Sequence, residues 1–406
     1  MNDWSLRPNC RPAEAGFDEA GFQRVDAIIR AGTGSVFSAA VVLVARRGMV
    51  VLYQAYGNLA PDEGEQPATL DSLFDLASVT KLFMATAFMI LVDAGQVDLD
   101  QPVSEIVPEF HGLAPVGDFE EPLTGNRLSF GYPAQAVDRG QVTFRHLLAH
   151  TSGLAPWMPL YRLAEPQREA LPAICQADFA YPTGARIAYS DLGFILLGEA
   201  IARLSGHPLG QAIQVAVLEP LGLRSTGYNP LIGSEATGPL EGPVTCQAHI
   251  AATEVSAWRQ RRLRGEVDDD NAAALGGIAG HAGLFGTAWD LAVFGQMHLN
   301  GGVYDSSRLL QTSTVAEMTR EQAAFDILRR GLGWELKPSA DGSCGRFFSP
   351  NSYGHRGFTG TSLWIDPERA LLVVCLTNRV HYGLDPEPIT AFRPALHEAI
   401  SRAMVR

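Results

Sequence analysis

The chain reads as an α/β fold in which an antiparallel sheet carries helices on both faces and adjoins a mainly helical part. Three observations predict it. Strand-like apolar runs sit near both ends of the 406 residues, the middle third has few of them, and a hydrophobic content of 46% is enough to bury a large core. Strands at the two ends around a helical middle imply one sheet assembled from both termini. The expectation is a single unit over residues 20–400, made of an α/β part (about 1–75 with 285–406) and a helical part (about 76–284).

The first sheet signal is a hairpin: residues 37–46 (FSAAVVLVAR) and 49–56 (MVVLYQAY) are β-rich runs separated by Arg47 and Gly48. Ahead of it, GFDEAGFQRVDAIIRAG has helical spacing and stops at Gly32, which predicts a helix packed on that sheet. From Ser78, the run SVTKLFMATAFMILVDAG is apolar almost all round up to Gly95, the mark of a helix buried inside a domain, with Lys81 as its one cation. Residues 143–150 and 190–204 add helices. Residues 112–140, rich in Gly, Pro and charge, read as a long loop. Strand character returns in TSLWIDPE and ALLVVCLTNRV, split by a turn around Pro367 and Glu368, and an amphipathic helix from about Pro394 to Met404 closes the chain.

Composition removes several function classes. With 31 basic against 44 acidic residues the formal charge is −13 and no basic run interrupts it, so nucleic acid would be repelled. The first 21 residues hold no apolar signal-peptide core and no segment offers 18 uninterrupted apolar residues, so a soluble, non-exported, cytoplasmic protein with no membrane partner is expected. Five widely spaced cysteines (Cys10, Cys175, Cys246, Cys344, Cys375) without a C-x-x-C pattern read as buried thiols, not as a disulfide framework or zinc site. No metal and no other cofactor is expected, and the partner is a small-molecule or short-peptide substrate.

Of the 31 basic residues only Lys81 and Lys337 are lysines. Where charge alone suffices this chain uses Arg, so a retained lysine is a candidate for giving up its proton. Ser78-Val79-Thr80-Lys81 puts a hydroxyl and an amine three residues apart at a helix start, on one face and within reach of each other. An N-capping serine beside an exposed lysine is the plainer reading. The helix start supplies N–H groups and positive potential where an oxyanion would form. Among Leu82, Phe83 and Met84 the amine is also expected to have a depressed pKa and to accept the Ser78 proton.

Two further elements follow. Tyr189-Ser190-Asp191 stands before an apolar helix, where it also serves as helix-start chemistry. His355-Arg356-Gly357 lies in GHRGFTGTSLWIDPE, where Gly354, Gly357 and Gly360 let a backbone approach a ligand closely.

In this order the three resemble the S-x-x-K, Y-x-N and K-T-G elements of class C β-lactamases, D-aminopeptidases and related esterases. VTFRHLLAHTSGL (142–154), GGIAGHAGLFGTAWDLAVFG (276–295) and HRGFTGTSLWIDP (355–367) look like further stretches of that family, over about residues 20–400. The resemblance implies a β-lactamase-like fold and a serine hydrolase. By it Ser78 is acylated, Lys81 and Tyr189 relay its proton, the amides of Ser78 and Phe358 form the oxyanion hole, and Gly357 and Thr359 border the substrate.

Departures qualify this. Asp191 stands where Asn is usual, and a carboxylate there would hold Lys81 protonated and shift the base role to Tyr189. His355 takes the position of the K-T-G lysine and Arg356 that of its threonine, which points away from β-lactamase activity. Arg356 reads equally as a bidentate clamp for a substrate carboxylate or as an unpaired surface residue. Residues 249–275 are similar to a segment of the muropeptide-processing branch with an H-D-x-N-A pattern, Asp268 replacing the histidine. Asp268, Asp269 and Asp270 otherwise read as a solvated acidic turn, and His146, His150 and His281 as packing histidines. The expected function is acyl transfer to water on a small ester or amide, a cytoplasmic cell-wall peptide fragment among the candidates. A non-hydrolytic ligand-binding relative and a β-lactamase or D,D-peptidase are the alternatives.

Overall fold

A computed structural model describes residues 4–231 and 247–405. The hairpin forms as expected, with β1 (Ala39–Arg46) and β2 (Met49–Gly57) pairing antiparallel around Arg47 and Gly48. Six C-terminal strands complete the sheet: β3 (Ala323–Phe325), β4 (Leu328–Arg330), β5 (Glu335–Leu336), β6 (Tyr353–Arg356), β7 (Ser362–Asp366) and β8 (Leu371–Thr377). Their order is β3-β4-β5-β6-β7-β8-β1-β2, antiparallel throughout, so the two termini meet at the β8–β1 seam.

Strand alternation sorts the central side chains into two cores. Ala39, Val41, Leu43 and Ala45 of β1, with Leu372, Val374 and Leu376 of β8, join one core, and Ala40, Val42, Val44, Leu371, Val373 and Cys375 join the other. Being buried on both faces, these strands read as continuous apolar runs.

The second core is covered by α1 (Glu19–Gly32) and α5 (Glu387–Ala403), through Phe22, Val25 and Ile29 on one and Leu396 and Ile400 on the other. The first core is far larger and continuous with the helical middle; it contains α2 (Thr80–Asp93), α3 (Asp191–Ser205) and α4 (Ala288–Leu299). Among the described residues no helix is long and apolar enough to cross a membrane.

Two expectations are corrected. The last helix begins at Glu387, not near Pro394, which lies inside it. A proline removes one i→i−4 bond, yet the helix runs through it because Ile389 and Phe392 of its first turns are buried, Phe392 edge-on to Phe37 with centroids 5.0 Å apart. Residues 112–140 are not a plain loop but hold two short ribbons, Leu113–Pro115 with Ala136–Asp138 and Phe119–Glu120 with Arg127–Leu128. Phe130 anchors the excursion, lying 4.7 Å from Phe119 and 5.8 Å from Tyr181, with the Arg186 guanidinium 3.8 Å over its ring. Cys175, Cys344 and Cys375 are free and buried, Cys10 is half-buried, and Cys246 lies outside the described residues.

Candidate active site

Ser78 is presented by a tight, strained segment. Asp75 ends a short strand (Phe74–Asp75) that pairs with Leu284–Gly286, and the Leu76 N–H donates to Leu284 O at 2.9 Å. The buried Asp75 carboxylate accepts from the amides of Ala77 (2.7 Å) and Asp268 (2.6 Å). Those bonds hold Ala77 at φ 47°, left-handed backbone that costs an L-residue about 1 kcal/mol. The chain then turns through a short 3-10 stretch (Ala77–Val79) into α2, carrying Ser78 just ahead of the helix and Lys81 one turn on.

Lys81 is wholly buried, and its ammonium finds three acceptors: Ser78 Oγ at 3.1 Å, His281 O at 2.8 Å and Asp191 Oδ1 at 2.7 Å. Two hydrogen bonds and one close ion pair thus surround the three N–H donors of the ammonium. Ser190 caps α3, accepting from Gly193 N at 3.3 Å and donating to Ala155 O at 2.7 Å. That cap fixes its neighbours Tyr189 and Asp191, and the Tyr189 ring lies 4.8 Å from Lys81 Nζ.

The expected depression of the Lys81 pKa is overturned. Burial acts to lower it, but the Asp191 carboxylate, and then Tyr189, act the other way and the net displacement is upward. Tyr189 is also raised, by burial first, with Lys81 opposing and Asp191 reinforcing. Both groups are therefore protonated at neutral pH. Ser78 and Lys81 bear on the Tyr189 hydroxyl, yet its oxygen makes no aligned hydrogen bond, as is common before a substrate tightens a site.

The buried imidazoles of His150 and His355 lie 4.5 Å and 5.9 Å from the Tyr189 ring. Burial, followed by the nearby cations Arg330 and Lys81, lowers both well below the usual histidine range, so both are neutral. Each keeps one nitrogen engaged: His150 Nδ1 accepts from Ser190 N at 3.1 Å, and His355 Nδ1 donates to Arg356 O at 2.9 Å. His146, at a helix start, caps Thr143 instead, its Nδ1 accepting the Thr143 N–H at 3.2 Å.

The hairpin between β6 and β7 closes the site. Gly357 N–H donates to Thr361 O and Gly360 N–H to Gly357 O, so among the described residues the Phe358 amide stands outside the turn's own bonds. Two hydroxyls stitch the hairpin to the Ser78 segment: Thr359 Oγ1 donates to Asp75 O at 2.7 Å and Thr361 Oγ1 to Leu76 O at 3.1 Å. Thr359 is therefore buried, with its hydroxyl committed to the backbone of the Ser78 segment. Gly357 makes its close approach to protein: a Cβ there would sit 2.7 Å from Leu76 O and 3.3 Å from Ala77 Cβ. Arg356 is neither unpaired nor a free clamp, since its Nε bonds Glu335 Oε2 at 2.9 Å.

The acidic turn is only partly solvated, with Asp269 and Asp270 half-buried. Asp268 is buried and raised to about 6, chiefly by burial. Asp75 is raised to about 7 by burial and by Asp268. Asp269 opposes this: burial pushes it up, but His281 and the Ala272 amide prevail and hold it at about 2, with His281 Nε2 at 2.9 Å. Asp270 pairs with Arg259 at 2.9 Å. Among the described residues no three His, Cys, Asp or Glu side chains are grouped to hold a metal ion. Asp75, and His281 as an acceptor for Lys81, were not singled out from the sequence for these roles. The position of Asp75 three residues before Ser78 was the available signal.

The family model described as Beta-lactamase matches residues 25–393. Proteins of Salmonella typhi and Salmonella typhimurium, each provisionally named D-alanyl-D-alanine carboxypeptidase, are 31% identical over 93% of this chain and 87% of their own. Simvastatin synthase from Aspergillus terreus matches with a TM-score of 0.69 at 21% identity, covering 94% of this chain and 98% of that one. EstCE1, a hydrolase with promiscuous acyltransferase activity, matches at 0.68 and 23%, covering 94% and 99%. Both are likenesses of fold.

Proposed function

The chain belongs to the β-lactamase family and is a serine hydrolase of esterase or peptidase type, and from that premise we propose that it cleaves a small ester or amide through an acyl-enzyme on Ser78. The observation that carries this reading is the buried Lys81 ammonium, 3.1 Å from Ser78 Oγ and 2.7 Å from Asp191 Oδ1.

Lys81 is already protonated, so it takes the Ser78 proton as it passes one of its own to Asp191. Ser78 Oγ then adds to the substrate carbonyl, and the amides of Ser78 and Phe358 receive the oxyanion. Tyr189, an acid at neutral pH, protonates the leaving group. Water repeats the sequence in reverse roles and frees Ser78. His355 stays neutral and packs the Tyr189 ring. In this reading Asp191 is the terminal proton acceptor, and Tyr189 is the acid in acylation and the base that takes the water proton in deacylation.

The substrate reading we favour is a short cell-wall peptide fragment in the cytoplasm. It is supported by the partial match of residues 249–275 to the muropeptide-processing branch and by the names of the Salmonella relatives, which also favour a second reading, release of a terminal D-alanine. The test compares wild type and Ser78→Ala on p-nitrophenyl butyrate and on an N-acetylmuramyl peptide ending in D-alanyl-D-alanine, with products identified by mass spectrometry. Wild type turns over at least one, and Ser78→Ala loses on the order of 10³-fold. Amide cleavage beside the sugar supports the fragment reading and free D-alanine the second. Stable acyl-Ser78 without turnover would indicate the binding relative, and fractionation of the tagged chain checks the compartment.

A further inference from the structure

A cavity of about 550 Å³ lies between the β4–β6 edge of the sheet and α5. Alternation along β6 sends His355 toward Tyr189 and Arg356 to the opposite face, so the Arg356 and α5 side of this cavity lies across the sheet from Ser78, while Arg330 reaches back toward Tyr189. The cavity lining includes the apolar Leu328 and Leu336, the arginines Arg329, Arg330, Arg356 and Arg393, and the acids Glu335, Asp341 and Glu398.

The arginines there are unevenly paired: Glu398 is engaged by Arg346 at 2.9 Å and Arg329 by Glu321 at 2.6 Å. Arg356 has Glu335 at 2.9 Å, whereas Arg330 and Arg393 have no carboxylate in ion-pair contact among the described residues. Both are more than nine-tenths buried, and each leaves a buried nitrogen without a hydrogen-bond partner, Nη1 of Arg330 and Nε of Arg393. Buried guanidinium nitrogens left unpaired are costly, and the fork of N–H groups matches the oxygens of a carboxylate or phosphate. The crowding registers on Arg393, which burial and then Arg356 lower to about 9.

We propose that this cavity is a second binding site, for a small anion carrying a carboxylate or phosphate group, and that its occupancy is felt at the catalytic hairpin. Arg393 is the link: its Nη2 donates to Gly357 O at 3.0 Å and to Thr361 O at 3.1 Å, on either side of the Phe358 amide. Arg330 is a second link, its guanidinium carbon lying 5.3 Å from the centre of the Tyr189 ring. The binding half of the proposal stands whatever substrate Ser78 acts on.

The experiment titrates inorganic phosphate and, separately, acetate into the full chain by calorimetry, and repeats the titrations with Ser78→Ala, Arg330→Gln and Ala391→Trp. Ala391 is an exposed cavity-lining residue of α5 outside the catalytic cluster, so an indole there obstructs the mouth and leaves basal p-nitrophenyl butyrate turnover within about twofold. One-to-one binding of at least one probe is expected, unchanged by Ser78→Ala, weakened about tenfold or more by Arg330→Gln and abolished by Ala391→Trp. Whichever probe binds more tightly identifies the anion as phosphate-like or carboxylate-like. The bound anion should also change kcat for the ester in wild type and not in Ala391→Trp. If Arg330→Gln fails to fold, Ala391→Trp decides. Absence of heat for both probes at tens of millimolar, binding competitive with the ester, or binding that survives Ala391→Trp overturns the site; binding without a change in kcat overturns the coupling.

Discussion

Lys81 and His355 are two buried basic groups beside the Tyr189 ring, and their surroundings drive them to opposite states. Burial disfavours charge on both. Lys81 has Asp191 at 2.7 Å and is driven upward, whereas His355 faces Arg330 and Lys81 without a carboxylate of its own and is driven downward. At the serine the charge sits on the Lys81–Asp191 pair, with Arg330 near Tyr189 and neutral hydroxyl and imidazole groups around them. Burial alone does not set a protonation state; the nearest partner does.

The strongest way to break the contrast is Lys81→Met. It removes the proton carrier and leaves Asp191 without its cation, so kcat/KM falls on the order of 10³-fold or more, and urea unfolding shows a stability loss of about 3 kcal/mol. Loss of activity with unchanged stability would mean that the pair is not a net structural contact.

A second probe lies beneath the same serine. Asp268 is raised to about 6 from an ordinary 3.8, so the folded state holds a proton there that the unfolded chain has released. Stability from this group is present below about pH 4 and is lost as pH rises through 6. The difference of about two units corresponds to at most roughly 3 kcal/mol. Asp268→Asn should therefore raise the melting midpoint by a few degrees at pH 8, with the gap closing toward pH 4. A gap that widens on acidification would show that Asp268 is ionised in the fold.

The smallest effect belongs to His355→Gln. A neutral group replaces a neutral group, so kcat should fall less than about tenfold, and the pH–rate profile between 5 and 8 should keep its shape. A limb near pH 6 that disappears in the variant would make His355 a titrating participant.

These contrasts explain which parts of the molecule were legible before the structure. β1, β7 and β8 were read from apolar runs because both faces of each are buried, whereas β2, a half-buried edge strand, was read from its β-rich run across Arg47 and Gly48 from β1. Ser78 and Lys81 stood out because lysine is so rare here, and α2 because it is apolar all round. By contrast β3–β5, short edge strands from Ala323 to Leu336, show little apolar alternation, and Arg330 was hidden among them. The pKa of Lys81 was misjudged because only its helix neighbours were weighed, while Asp191 reaches it from 110 positions away in sequence. Likewise Asp75 and Asp268 look like ordinary turn residues until the fold buries them against each other.

The most direct measurement is the pH–rate profile of ester hydrolysis by wild type and Asp191→Asn. With its carboxylate partner removed, burial is left to lower Lys81, which then becomes a free base as pH rises. Asp191→Asn should be about 10- to 100-fold slower than wild type near pH 7 and should regain activity along a new ascending limb toward pH 9, absent from the wild-type profile. A variant whose profile is parallel to wild type at every pH would contradict the role given to the Lys81–Asp191 pair.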